Sequence, residues 1–187
     1  MLLKSDFELV KDFQAGKIEA YNELVRRYQQ KVYWISRRLV GDHNDADDIT
    51  QDVFVKVYKA LADFRSQSSF FTWLYRITVN MSISSIRRKK IIEFINFDNT
   101  FSTLNSIVDD SINPESQLEI DENLKLLEEA ITKLPRMQKK VFILRYFEEL
   151  PYEEISKILN RKVSGLKANY FYALKNIQKF VKDKIKI

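Results

Sequence analysis

Residues 151–182 read PYEEISKILNRKVSGLKANYFYALKNIQKFVK, a short apolar-periodic segment, a polar break at Asn160–Lys162, and a long periodic segment from about Val163. Short helix, tight turn, long helix is the pattern of a helix-turn-helix. Turning the long segment by 100° per residue puts Val163, Leu166, Tyr170, Ala173, Leu174, Ile177 and Val181 on one arc, which is expected to pack against Ile155, Ile158 and Leu159. The opposite arc holds Ser164, Ala168, Phe171, Tyr172, Lys175 and Lys179, with Lys167 at its margin. A helix facing only water has no need of two outward aromatics. Small residues let a helix approach base edges, aromatics touch thymine methyls and lysines hold phosphates, so this face suits a major groove.

Upstream, the same periodicity predicts a helix around Leu118–Lys133, a break at Leu134–Pro135, and a helix over Met137–Phe147. The first half predicts helices over about Asp6–Ala15, Tyr21–Leu39 with Gly41 as its left-handed stop, Asn44 or Asp45 to Ala62, and Phe70–Lys90. A serine-rich loop, Asp63–Ser69, separates the last two. Charge marks the domains: residues 1–94 carry 16 basic and 12 acidic side chains, 95–122 carry none and 7, and 123–187 carry 15 and 7. The expected architecture is all-α, two small helical domains at 1–94 and 120–187 joined by an acidic linker at 95–119, the second containing the helix-turn-helix. The linker's phenylalanines are candidates for docking.

The 187 residues include no Cys and a single His, His43, so thiol nucleophiles, zinc ligand sets and a His-centred triad are missing. No apolar stretch reaches the roughly 18 residues of a membrane span, and charges interrupt the amino terminus too early for a secretory signal. A cytoplasmic, non-enzymatic protein is expected, with no cofactor, no small-molecule substrate and no direct membrane insertion. The helix after the serine-rich loop carries Arg76, Asn80, Ser84 and Arg87 on one face, with Phe64, Phe70, Phe71, Trp73 and Tyr75 before or at its start. Cations interleaved with aromatics beside a polar loop suit unstacked bases; Trp73 and Leu74 are expected in the core. The preceding helix buries Ile49, Val53, Val57 and Ala60 and presents Asp48, Gln51, Asp52 and Val55. An acidic face on a basic protein fits a basic protein partner. The rival use of Asp42, Asp45, Asp47, Asp48 and Asp52 as a magnesium site competes with their fitness for a helix's first turn.

The segment DADDITQDVFVKVYKALADFRSQSSFFTWLYRITVN, residues 45–80, resembles the second conserved region of extracytoplasmic-function sigma factors, promoter-recognition subunits of bacterial RNA polymerase. The segment LPRMQKKVFILRYFEELPYEEISKILNRKVSGLKANYFYALKNI, residues 134–177, resembles their fourth region. The resemblance implies that Asp48, Gln51, Asp52 and Phe54 meet the polymerase clamp. It also implies that the loop from Phe64 to Phe71, with Ser66 and Ser68, captures a flipped base of the minus-ten element. Lys56, Tyr75, Arg76, Asn80, Arg87 and Arg88 would support that capture. Arg145, Ser164, Lys167, Ala168, Phe171, Tyr172 and Lys175 would read the minus-thirty-five element. The implied partners are core RNA polymerase through clamp and flap, and promoter DNA both duplex and melted; an anti-sigma factor is a further candidate. The linker would pass near the polymerase active centre. Where the family usually reads Gly-Thr-Val-Lys-Ser-Arg, this chain reads Ser164-Gly165-Leu166-Lys167-Ala168-Asn169, and a common later arginine is Tyr172. Fewer arginines predict weaker guanine readout and an upstream element richer in A·T. A polymerase-independent helix-turn-helix regulator is the alternative.

Overall fold

The computed structural model describes residues 4–97 and 125–185, with side chains for 4–89 and 125–184. Residues 98–119 of the expected linker, its candidate phenylalanine docking, and the expected helix over 118–124 lie outside the described residues. Every element among the described residues is helical: α1 Asp6–Gln14, α2 Ile18–Val40, α3 His43–Leu61, α4 Phe70–Phe97, α5 at 125–132, α6 Arg136–Phe142 continuing into a π-helical turn Ile143–Phe147, α7 Tyr152–Leu159 and α8 Val163–Ile185.

Local chemistry sets the boundaries. Ser5 and Glu8 form a reciprocal capping box at the start of α1. Gly41, with φ of 88°, ends α2 in the left-handed conformation and its N–H reaches Arg37 O at 2.9 Å. That sharp stop makes Asp42, rather than the expected Asn44 or Asp45, the cap of α3, its carboxylate accepting from Asp45 N at 2.9 Å. Asp45 pairs instead with Lys89 of α4. Helix α4 runs seven residues past the expected Lys90 and three into the expected linker, because IIEFINF contains no Gly or Pro to stop it. The single helix expected over Met137–Phe147 changes to π geometry at Ile143. The extra residue rotates the following side chains by about 100°.

One apolar cluster runs through both halves of the chain. It takes Leu24 and Ile35 from α2, Val57 from α3 and Leu74 from α4, and continues into Leu144, Ile155 and Leu166. A smaller cluster joins Ile131, Leu134 and Phe142 to Ala173 and Ile177 of α8. The buried arc of α8 is therefore as expected, but its partners are split: Leu166 packs with α7, whereas Ala173 and Ile177 pack with α5 and α6. At 1.5 Å per residue the eight residues of α7 span only about 12 Å, too little to cover the 23 residues of α8.

Candidate nucleic-acid interface

The loop between α3 and α4 closes on a cleft of about 440 Å³, within the roughly 300–1,000 Å³ of ordinary ligand pockets. Phe64, Ser68, Arg65 and Gln67 come from the loop, and Trp73 and Arg76 from α4. The rings of Phe64 and Trp73 pack in tilted contact, centroids 4.7 Å apart and planes at 34°. Trp73, expected in the core, thus packs on the core with one face and lines the cleft with the other, while Leu74 is fully buried as expected. Arg65 and Gln67 escaped the sequence reading individually, although the polar loop that carries them was its signal. Ser66 is exposed in the left-handed region, φ 52°, outside the cleft lining. The cleft offers an aromatic wall, the guanidinium groups of Arg65 and Arg76, the carboxylate of Asp63 and small polar groups.

The remaining residues expected at a melted strand are distributed differently. Phe71 stacks on Tyr75 at 4.2 Å, and Tyr75 is fully buried. Its hydroxyl donates to Glu148 at 2.9 Å, and burial followed by that carboxylate pushes its pKa upward. Glu148, just after the π turn, also faces Arg38 of α2 at 3.7 Å. The guanidinium of Arg38 lies over the Phe147 ring at 3.9 Å and the Trp34 ring at 5.4 Å, and desolvation lowers its pKa. The Thr72 hydroxyl donates to Glu154 of α7 at 2.7 Å, which holds that carboxyl below its usual range. Arg76 donates to Lys157 O at 2.7 Å. The helix-turn-helix half therefore packs on α4 through Thr72, Tyr75 and Arg76, and Arg76 belongs to both that contact and the cleft lining. Lys56, Asn80, Arg87 and Arg88 are exposed, outside the cleft lining. Arg87 lies near enough to Lys140, with Arg136 and Arg161, to help depress the lysine's pKa, after the effect of burial.

On α8 the expected outer face is solvent-facing throughout: Ser164, Lys167, Ala168 and Lys175 are exposed, and Phe171 and Tyr172 are 62% and 54% exposed. Gly165 has open space around it, so the start of the helix can approach a surface closely. Arg145 and Lys167 both approach Tyr152, their cations 5.3 and 5.8 Å from its ring. The guanidinium is fixed by donating to Leu150 O at 3.0 Å. Tyr152 had no sequence signal beyond its place at the start of α7.

The acidic face of α3 presents Asp48, Gln51 and Asp52 exposed, whereas Phe54 is only 8% exposed, its backbone carbonyl accepting from the Tyr21 hydroxyl at 2.7 Å. Burial pushes the Tyr21 hydroxyl up to about 12. Beside the acids runs a groove of about 780 Å³ between α2 and α3, walled by Tyr21, Val25, Gln51, Phe54, Val55 and Tyr58. Among the described residues no group of three or more His, Asp or Glu side chains is placed to hold a metal ion. No described helix is long and apolar enough to cross a membrane.

Residues 24–91 match the family model for sigma-70 region 2, and residues 124–177 that for sigma-70 region 4. The RNA polymerase sigma-H factor of Pseudomonas aeruginosa is 32% identical, the match covering 94% of this chain and 93% of that one. The ECF RNA polymerase sigma-E factor of Escherichia coli strain K12 is 33% identical, covering 97% of each. Among solved structures, the sigma factor RpoE in complex with the anti-sigma factor NepR from Bartonella quintana shares the fold with a TM-score of 0.68 at 20% identity, over 87% of this chain and 96% of that one.

Proposed function

The chain belongs to the extracytoplasmic-function sigma factors of the sigma-70 family, and from this premise we propose how its two helical units divide the selection and opening of a promoter. As a sigma factor it works with RNA polymerase in promoter recognition. In this reading residues 1–94 form the polymerase- and minus-ten-binding unit, 95–119 the linker and 120–187 the minus-thirty-five-binding unit. Asp48, Gln51 and Asp52 meet basic groups on the polymerase clamp, and the adjacent groove, floored by Phe54, accepts an apolar ridge. Helix α8 enters the major groove of the upstream element, with Arg145 and Lys167 on phosphate or base edges.

The observation that carries the reading is the cleft where Phe64 packs against Trp73 with Arg65 and Arg76 in the lining. An extruded base gains an aromatic face and a nearby cation there, which offsets an unstacking cost of a few kcal/mol and biases the strands apart. The mechanism has no covalent step. Two DNA-binding units on one chain, each weak alone, read the promoter bivalently. The site of action is the cytoplasm, where polymerase and promoters meet, and an anti-sigma factor is a further partner.

Run-off transcription with core polymerase on a genomic promoter library tests the reading directly. The chain should confer start-site selection on the polymerase. Asp48→Ala with Asp52→Ala should abolish co-purification with core while leaving the helical circular-dichroism signal intact. Absence of start-site selection overturns the function, and retained co-purification overturns the polymerase face.

A further inference from the structure

Helix α1 contributes nothing to the lining of either the cleft or the α2–α3 groove, yet it is held firmly. Leu9 and Val10 are buried, and Asp6 accepts from the Tyr28 hydroxyl and from Arg27, the latter at 3.1 Å. Tyr28 in turn packs on Phe70, the first residue of α4, with ring centroids 5.5 Å apart. The helix ends at Gln14, whose side-chain nitrogen donates toward three backbone carbonyls: Leu61 at 3.2 Å, Ala62 at 3.3 Å and Phe64 at 3.0 Å. One amide nitrogen has two hydrogens, so the three carbonyls share them. Two of these carbonyls end α3, where orphan acceptors need partners. The third belongs to the residue whose ring packs against Trp73.

At its other end the loop is fixed by Ser69, whose hydroxyl accepts from Thr72 N at 3.1 Å. Between the two anchors Ala62, Asp63, Arg65 and Gln67 are exposed, and Ser66 sits in a left-handed conformation unfavourable for a residue with a Cβ. Few contacts other than the anchors hold such a loop in one shape. A loop that must be ordered on binding charges that entropy against the ligand.

We propose that Gln14 is a positioning residue for base capture: by pinning the first carbonyls of the loop it sets the backbone of Phe64, and with it the position of the aromatic wall that Phe64 forms with Trp73. The proposal deepens the base-capture reading and rests on it. The amide touches no base itself. It converts a loose polar loop into a preformed slot, so its loss acts on discrimination at the captured position more than on overall affinity.

The test uses holoenzyme assembled from the full chain and core polymerase, presented with a randomised pool of single-stranded oligonucleotides. Wild type should enrich one base at one position above its neighbours. Gln14→Ala and Gln14→Glu, both at an exposed helix end, should lower that positional preference by about tenfold, with binding of the whole pool and of core polymerase changed less than about twofold. The Glu variant should be the more severe, since its carboxylate turns an oxygen toward three carbonyl oxygens. Full preference in both variants overturns the proposal. So does a uniform loss at every position accompanied by a fall in Tm, which marks a merely structural role. A wild-type holoenzyme with no positional preference overturns base capture itself and Gln14's part in it.

Discussion

Lys139 on α6 is the residue whose environment departs most from what its sequence position suggests. Burial alone lowers its ammonium pKa from 10.5 to about 8, and the neighbouring Lys140 is depressed too, first by burial and then by Arg87, Arg136 and Arg161. A folded pKa below the unfolded one means that the unfolded chain binds more protons between pH 8 and 10.5. Stability therefore rises with pH across that window, and the penalty is complete below it. Lys139→Met should remove the slope that this residue adds and stabilise the fold at pH 7 by about 2 kcal/mol. Urea unfolding of both proteins at pH 7 and pH 9.5 measures this; equal slopes would mean that Lys139 is hydrated. Nothing in the spacing of RMQKKVF distinguishes Lys139 from Lys140, because which lysine loses its water depends on the packing around α6.

At the scale of elements the helices were largely readable, since the 3.6-residue period of apolar positions is clear in segments such as α2, α3 and α7. The buried and outer arcs of α8 were legible for the same reason. The π turn was not, because nothing in the residues of Ile143–Phe147 breaks the α-helical period locally. The outer face of α8 carries a prediction of its own. With Asn169 and Tyr172 on a helix that offers no arginine, promoter mapping should return an A·T-rich upstream element, and a G-rich element contacted by this helix would refute that. Lys175→Ala should weaken binding to all upstream sequences alike and reduce the salt-dependence slope by about one. A loss of sequence preference instead would make Lys175 a base reader.

Across the whole molecule the decisive feature is the seam between the two units. Glu148, with its side chain only 10% exposed, is shared by Arg38 and Tyr75, and Thr72 and Arg76 reach α7. These contacts tie the two halves together in the free chain, so removing one should favour their separation. Glu148→Ala leaves the buried Tyr75 hydroxyl and the half-buried Arg38 without their partner, a loss of about 2–3 kcal/mol from the closed form. Small-angle scattering of the free variant should show a larger radius of gyration, and hydrogen exchange in α7 should speed up. An unchanged radius and unchanged protection would place the closing force in the apolar cluster alone.

The order and character of the helices, the acidic face of α3, the aromatic loop and the exposed outer face of α8 follow from the chain's own periodicity and charge, because each depends on neighbours within one or two turns. Three placements were set only by the tertiary structure. Trp73 lines the cleft, Tyr75 and Arg76 turn toward the second unit, and Gln14 fixes a loop about fifty residues away. The last two join groups about 50 to 80 residues apart, and the first depends on how the loop folds back onto α4; such partners are chosen by how the elements pack.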